Sequence, residues 1–174
     1  MLNFYQGVMP KSVMPRRLML QIAVGAEFKK ELETYIRPQI EKGVPSMLKD
    51  LRNLYINEEK TNAILEVLNK FNDNLGKQMT LCEDDEQEQD PTAQLWVYYY
   101  LANHYLFTGE YQKGFEFVDK AIEHSPTVIE LYTMKAKLFK HAGNKEKAFH
   151  FYNEARKLDT ADRFLNARTA RYQI

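Results

Sequence analysis

The helical character of the chain is clearest in one stretch, residues 98–126, which reads YYYLANHYLFTGEYQKGFEFVDKAIEHSP. Its apolar residues recur at intervals of three and four, which is the spacing of one face of an α-helix. Gly109 lies between two such segments, and glycine readily adopts the left-handed backbone with which many helices end. The stretch therefore predicts two helices joined by a short turn.

A related pattern begins 34 residues further on. Gly143 repeats Gly109, and an alanine recurs as Ala102, Ala136 and Ala170. This period is typical of the tetratricopeptide repeat, a helix pair that keeps small residues where its helices cross. The matching residues are Tyr98, Leu101, Ala102, Tyr105, Gly114, Val118, Ala121 and Pro126 in the first unit and Tyr132, Ala136, Phe139, Ala148, Tyr152 and Ala155 in the second. We therefore predict an all-α protein, a right-handed α-solenoid of tetratricopeptide-like helix pairs.

The first half of the chain follows the same plan without the small-residue signature. Three groups of apolar residues each fall on one predicted helical face. These are Phe28, Leu32, Tyr35, Ile36 and Ile40; then Leu48, Leu51 and Tyr55; then Ile64, Leu68 and Phe71. The pattern predicts degenerate helical repeats ahead of the regular ones.

The predicted organisation has six parts. They are an irregular N-terminal segment with a short helix (1–25), degenerate helical repeats (26–76), an acidic loop (77–92), two tetratricopeptide repeats (93–127 and 128–160) and the first helix of a truncated repeat (161–174). A single repeat cannot bury its apolar face alone, so we expect the last part to belong to a longer solenoid.

Charge and cysteine content narrow the function classes. The chain has 24 basic and 24 acidic residues, a balance that does not favour direct binding to DNA or to a membrane. One cysteine, Cys82, supplies neither a disulfide framework nor a multi-cysteine zinc site, and it suits a reducing compartment. We find no signal peptide or membrane-spanning run. His104, His124 and His150 lack metal-ligand spacing, so we expect no metal site.

The stretch KAKLFKHAGN, residues 135–144, places three lysines and a histidine ahead of a glycine. A phosphate-binding loop is one interpretation of such a stretch. However, Gly143 belongs to the turn between two helices of a repeat, and a phosphate loop would follow a strand. The stretch is therefore interpreted as the end of a helix, in which Lys135 stands where the repeat prefers leucine.

Five residues form a candidate basic surface. Lys137, Lys140 and His141 share one face of a predicted helix, and Arg168 and Arg171 share a face of the first helix in the next unit. Lysine and arginine side chains suit phosphate oxygens. Two interpretations stay open from the residues alone, a solvated basic face and an anion-binding site.

Several segments are similar to the large auxiliary subunit of the N-terminal acetyltransferase A complex, and the resemblance runs from about Val8 to the end of the chain. These segments are VMPRRLMLQIAVGAEFKKELETYI (13–36), LWVYYYLANHY (95–105), TVIELYTMKAKLFKHAGN (127–144) and EARKLDTADRFLNARTARY (154–172). The resemblance implies a fragment of a non-catalytic scaffold that wraps the catalytic acetyltransferase subunit. Acetyl-CoA would then be bound only by that catalytic partner.

The resemblance also implies a cellular setting and a ligand. The parent complex would act on nascent chains at the ribosome, in the cytoplasm. In that family an inositol polyphosphate lies between scaffold and catalytic subunit in a basic pocket. This implies inositol hexakisphosphate as the anion for Lys137, Lys140, His141, Arg168 and Arg171.

The main rival is a generic tetratricopeptide module that binds a peptide in its concave groove. Modules that clamp chaperone tails carry lysine, asparagine and arginine at five positions. Those positions here hold Tyr99, Asn103, Tyr100, Glu130 and Met134, and only the asparagine fits. An enzyme is disfavoured because neither a Gly-rich loop nor a nucleophile with an adjacent base is recognisable.

Overall fold

The structure, a computed structural model, describes residues 14–82 and 88–171. Across these two ranges the backbone forms helices and turns, without a strand. The fold class predicted from the sequence, an all-α solenoid of helix pairs, is confirmed. The chain divides into two compact units, Met1–Gln94 and Leu95–Ile174.

In the described part of the first unit, four α-helices and one 3₁₀ helix are present. These are α1 (Met14–Ile22), α2 (Gly25–Glu41), α3 (Met47–Asp50), the 3₁₀ helix Arg52–Ile56 and α4 (Glu58–Gln78). Helix α2 contacts both α1 and α4. The predicted apolar face of α2 is confirmed, because its five residues from Phe28 to Ile40 are all buried, and Ile64, Leu68 and Phe71 of α4 are also buried.

The prediction that Leu48, Leu51 and Tyr55 share one helix is wrong. The α-helix ends at Asp50 and a 3₁₀ helix follows from Arg52. Leu51 joins the two with φ −91° and ψ 4°, a backbone conformation outside the α region. Leu48 and Leu51 are nevertheless buried as expected, because apolar spacing of three residues fits a 3₁₀ turn as well.

Two ion pairs join α2 to α4. Lys29 pairs with Glu66, and the Lys70 ammonium lies 2.9 Å from the Glu33 carboxylate. The partners advance together by four residues along both helices, so α2 and α4 run in the same direction. The signs are exchanged between the two pairs, so the observed register places opposite charges together at both positions.

The second unit contains the regular repeats. Its helices are α5 (Thr92–Thr108, in this unit from Leu95), α6 (Tyr111–His124), α7 (Ile129–His141), α8 (Lys145–Leu158) and α9 (Arg163–Arg171). Helices α6 to α9 each contact the next in chain order. Gly109 and Gly143 have φ of 83° and 84°, which confirms that both glycines make the turn inside a helix pair.

The two repeats share one arrangement of rings and lysines. Tyr105 stacks on Phe117 at 5.8 Å, and 34 residues later Phe139 stacks on Phe151 at 5.4 Å. The Lys113 ammonium lies 5.4 Å from the Tyr105 ring centroid, and Lys147 lies 5.3 Å from that of Phe139. The sequence period is therefore reproduced in three-dimensional contacts.

Candidate functional site

Three of the five predicted anion-binding residues lie near the C-terminal end of α7. Lys137 is half-buried, whereas Lys140 and His141 are exposed. Glu130 lies in the first turn of the same helix, and Lys140 and His141 in its last turn. This distribution opposes the helix dipole at both ends, so the basic residues also stabilise α7 itself.

The two predicted arginines lie on α9. One N–H of the Arg168 guanidinium donates to the Tyr152 hydroxyl at 3.3 Å. The same guanidinium lies 4.6 Å from the ring centroid of Phe164 and 5.7 Å from that of Tyr152. Arg168 is thereby held in one orientation, whereas Arg171 is exposed.

Helix α8 packs against both of the helices that carry these basic residues. It contacts both α7 and α9. The guanidinium of Arg168 carries five N–H donors, and the contact with Tyr152 uses one of them. The assignment of all five residues to an anion site stays a prediction.

Lys135, a lysine of the same stretch to which the sequence assigned no contact, is largely enclosed. The Lys135 side chain is 17% exposed, and its ammonium lies 2.5 Å from the Asp119 carboxylate on α6. It also lies 4.5 Å from the ring centroid of Phe151 on α8. Lys135 therefore links three successive helices at the position where the repeat prefers leucine. The sequence shows that a lysine replaces the expected leucine, but it does not indicate that Asp119 and Phe151 are its partners.

The three α5 positions at which other modules bind a chaperone tail are enclosed in this protein. Tyr99 is 3% exposed and Asn103 6%. Tyr100 is fully buried as well. Helix α5 is apolar on every side, which is typical of a helix buried all round. Asn103, the one residue that fits the chaperone-tail pattern, is therefore not accessible to a peptide.

Two other side chains considered from the sequence, His104 and Cys82, have defined environments in the structure. His104 is buried, and this burial lowers the pKa of its imidazole to about 4, against a smaller opposing effect of Glu110. The Cys82 thiol accepts a hydrogen bond from Arg37 at 3.7 Å. In the ranges that the structure describes, His, Cys, Asp and Glu side chains do not group as metal ligands, and no helix is long and apolar enough to span a membrane.

The successive helix pairs define a helical-repeat protein. The family model for the N-terminal acetyltransferase A auxiliary subunit matches residues 1–174. The chain belongs to this family, which is that of the non-catalytic subunit.

Relatives agree with this assignment. The chain is 38% identical to the mouse N-alpha-acetyltransferase 16, NatA auxiliary subunit, over 95% of its own length and 19% of the relative. It is 35% identical to the Arabidopsis thaliana N-terminal acetyltransferase A complex auxiliary subunit NAA15, over 87% of this chain and 17% of that protein. The chain thus spans about a fifth of the length of the curated relatives it matches.

A solved structure of Naa15/Naa10 bound to HypK-THB has the same fold. It matches 99% of this chain and 24% of the solved chain, with a TM-score of 0.85 and 29% sequence identity. The likeness extends across both compact units, including the degenerate repeats of the first half.

Proposed function

We propose that this chain is part of a scaffold that holds a catalytic N-terminal acetyltransferase subunit for co-translational acetylation at the ribosome, in the cytoplasm. The observation that carries the proposal is the family match over the whole chain. The similar solved chain was determined together with Naa10, which supports a catalytic subunit as partner. Acetyl-CoA would be bound by that partner and not by this chain.

Co-purification tests the scaffold proposal. The gene product that contains residues 1–174 is tagged in its source cells and isolated under mild conditions. We expect a catalytic acetyltransferase subunit in stoichiometric yield and acetylation of N-terminal peptides by the complex. The purified chain alone, incubated with acetyl-CoA, is the control and should give no turnover. Absence of the catalytic subunit from the purified material contradicts the proposal.

We also propose that Lys137, Lys140, His141, Arg168 and Arg171 bind inositol hexakisphosphate. Three of these side chains are exposed, and Arg168 is oriented by two aromatic rings. Four permanent positive charges on two helices of one stack favour a ligand of high negative charge.

Calorimetry tests this site with two charge reversals at exposed positions, Lys140→Glu and Arg171→Glu. We expect the double variant to bind inositol hexakisphosphate at least about tenfold more weakly, with an unchanged helix content by circular dichroism. Lys113→Glu combined with Lys120→Glu on α6 is the matched control, because it makes the same number of charge reversals at exposed positions on a second helix of a repeat. Equal weakening by the control indicates general charge attraction and contradicts a specific site.

A further inference from the structure

Arg168 is a half-buried cation whose contacts in the fold are made to neutral groups. Across residues 14–82 and 88–171, no acidic side chain forms an ion pair with its guanidinium. Lys135, by contrast, is enclosed beside the Asp119 carboxylate. The described part of the fold therefore leaves the charge of Arg168 uncompensated, and an anion is the ligand that compensates it.

Two aromatic side chains hold this guanidinium in place. Phe164 lies four residues earlier on the same face of α9, and its ring centroid is 4.6 Å from the guanidinium carbon. The Tyr152 hydroxyl on α8 accepts one guanidinium N–H at 3.3 Å. A guanidinium is planar and carries its five N–H donors at the edge. Phe164 therefore covers a face of the group, and four donors of the edge are left for a ligand.

Tyr152 is itself fixed at both ends by α9. Its side chain is 1% exposed, and its backbone carbonyl accepts a hydrogen bond from the Thr169 hydroxyl at 3.3 Å. Thr169 is buried and follows Arg168 directly in the chain. Two adjacent residues of α9 thus contact the hydroxyl and the backbone of one buried tyrosine. The hydroxyl that orients Arg168 therefore has a fixed position.

The exposed members of the candidate site differ from Arg168 in this respect. Lys140 and Arg171 are long side chains at exposed positions. Such side chains lose rotamer freedom when a ligand orders them, and this loss opposes binding. Arg168 is ordered before the ligand arrives, so less of its interaction with the ligand is offset by lost entropy.

We propose that Tyr152 and Phe164 are positioning residues of the anion site. They fix the guanidinium of Arg168 so that a phosphate group binds along its edge, in the guanidinium plane. Neither aromatic side chain carries a charge, and both act through Arg168. This proposal rests on the proposed inositol hexakisphosphate site and adds to it residues that charge and spacing do not indicate.

The test is a double-mutant cycle on the whole chain, with inositol hexakisphosphate as the calorimetric probe. Tyr152→Phe keeps the buried ring and removes the hydroxyl, so we expect about fivefold weaker binding from the lost ordering of Arg168. Arg168→Met should weaken binding by about tenfold or more. In the Arg168→Met background, Tyr152→Phe should have no further effect, because the tyrosine acts through the arginine.

A second variant and a matched control make the result specific. Phe164→Leu removes the ring at a position that is 61% exposed, so the core stays intact. It should also weaken binding, and again only while Arg168 is present. Tyr132→Phe is the control, because its hydroxyl donates to the Pro126 carbonyl oxygen at 2.7 Å and does not contact Arg168. It should bind as the natural chain does, and urea unfolding establishes that every variant is folded.

The outcomes separate this proposal from the anion site itself. Unchanged affinity in Tyr152→Phe and Phe164→Leu, with weaker binding by Arg168→Met, overturns the positioning role and leaves the site in place. Equal weakening by Tyr152→Phe with and without Arg168 also overturns it, because the tyrosine would then act through the fold. Binding by Arg168→Met that is as tight as that of the natural chain removes Arg168 from the site and contradicts both proposals.

Discussion

Two glycines carry a backbone conformation that other residues adopt only at a cost. Gly109 and Gly143 have φ near +83°, and a Cβ atom would meet nothing within 4 Å at either position. Gly109→Ala or Gly143→Ala should therefore lower the free energy of unfolding by about 1–2 kcal/mol through backbone strain alone. The matched control is Gly76→Ala inside α4, also without a close neighbour, which should be neutral or stabilise by up to about 1 kcal/mol. Urea unfolding compares the three variants, and equal effects would contradict the assignment.

His104 gives the stability of the protein a dependence on pH. Burial holds the pKa of its imidazole at about 4 in the folded state, below the ordinary 6.5. The unfolded chain therefore takes up a proton first as the pH falls. Protonation of the unfolded chain therefore costs no stability above pH 6.5. Between pH 6.5 and pH 4 it lowers the free energy of unfolding by about 3 kcal/mol.

The measurement is urea unfolding from pH 7 to pH 4 for the natural chain and for His104→Leu. Leucine is the residue at the corresponding place of the next repeat, Leu138, where it is completely buried. We expect the variant to lose stability less steeply on acidification, whatever its stability at pH 7. Identical slopes would show that the group does not titrate as described.

At the scale of the helix, Lys135 joins α7 to Asp119 on α6 and to Phe151 on α8. Lys135→Leu restores the residue type of Leu101 and removes a largely enclosed charge, so it should stabilise by about 1 kcal/mol. Asp119→Ala alone leaves the ammonium without that carboxylate and should destabilise by about 1 kcal/mol. In the Lys135→Leu background the aspartate change should have no effect. A double-mutant cycle of unfolding free energies measures this coupling, and simple additivity would refute it.

The elements differ in how far their sequence predicts them. The regular helix pairs were predictable because their small residues, aromatic rings and glycines recur at a fixed period. Each of these residue types has the same packing role in both repeats. The break at Leu51 was not, since apolar spacing alone does not separate an α-helix from a 3₁₀ helix. For the candidate site, spacing predicts which residues share a face of a helix. It does not predict that Arg168 bonds Tyr152 or that Lys135 bonds Asp119, because these partners lie 16 residues away and depend on how helices stack.

For the whole molecule, local stability should follow how many sides of each helix are covered. From Leu95 to Leu106 helix α5 has only buried and half-buried residues, so its amides exchange only when packing around it opens. Helix α9 is packed on one face, and α1 exposes Met14, Leu18 and Ile22 along one side. Hydrogen exchange of the natural chain should therefore be slowest in α5, by about a hundredfold or more relative to α9 and α1. Uniform protection along the chain would contradict this, since it would mean that the helices open together and not in the order set by their burial.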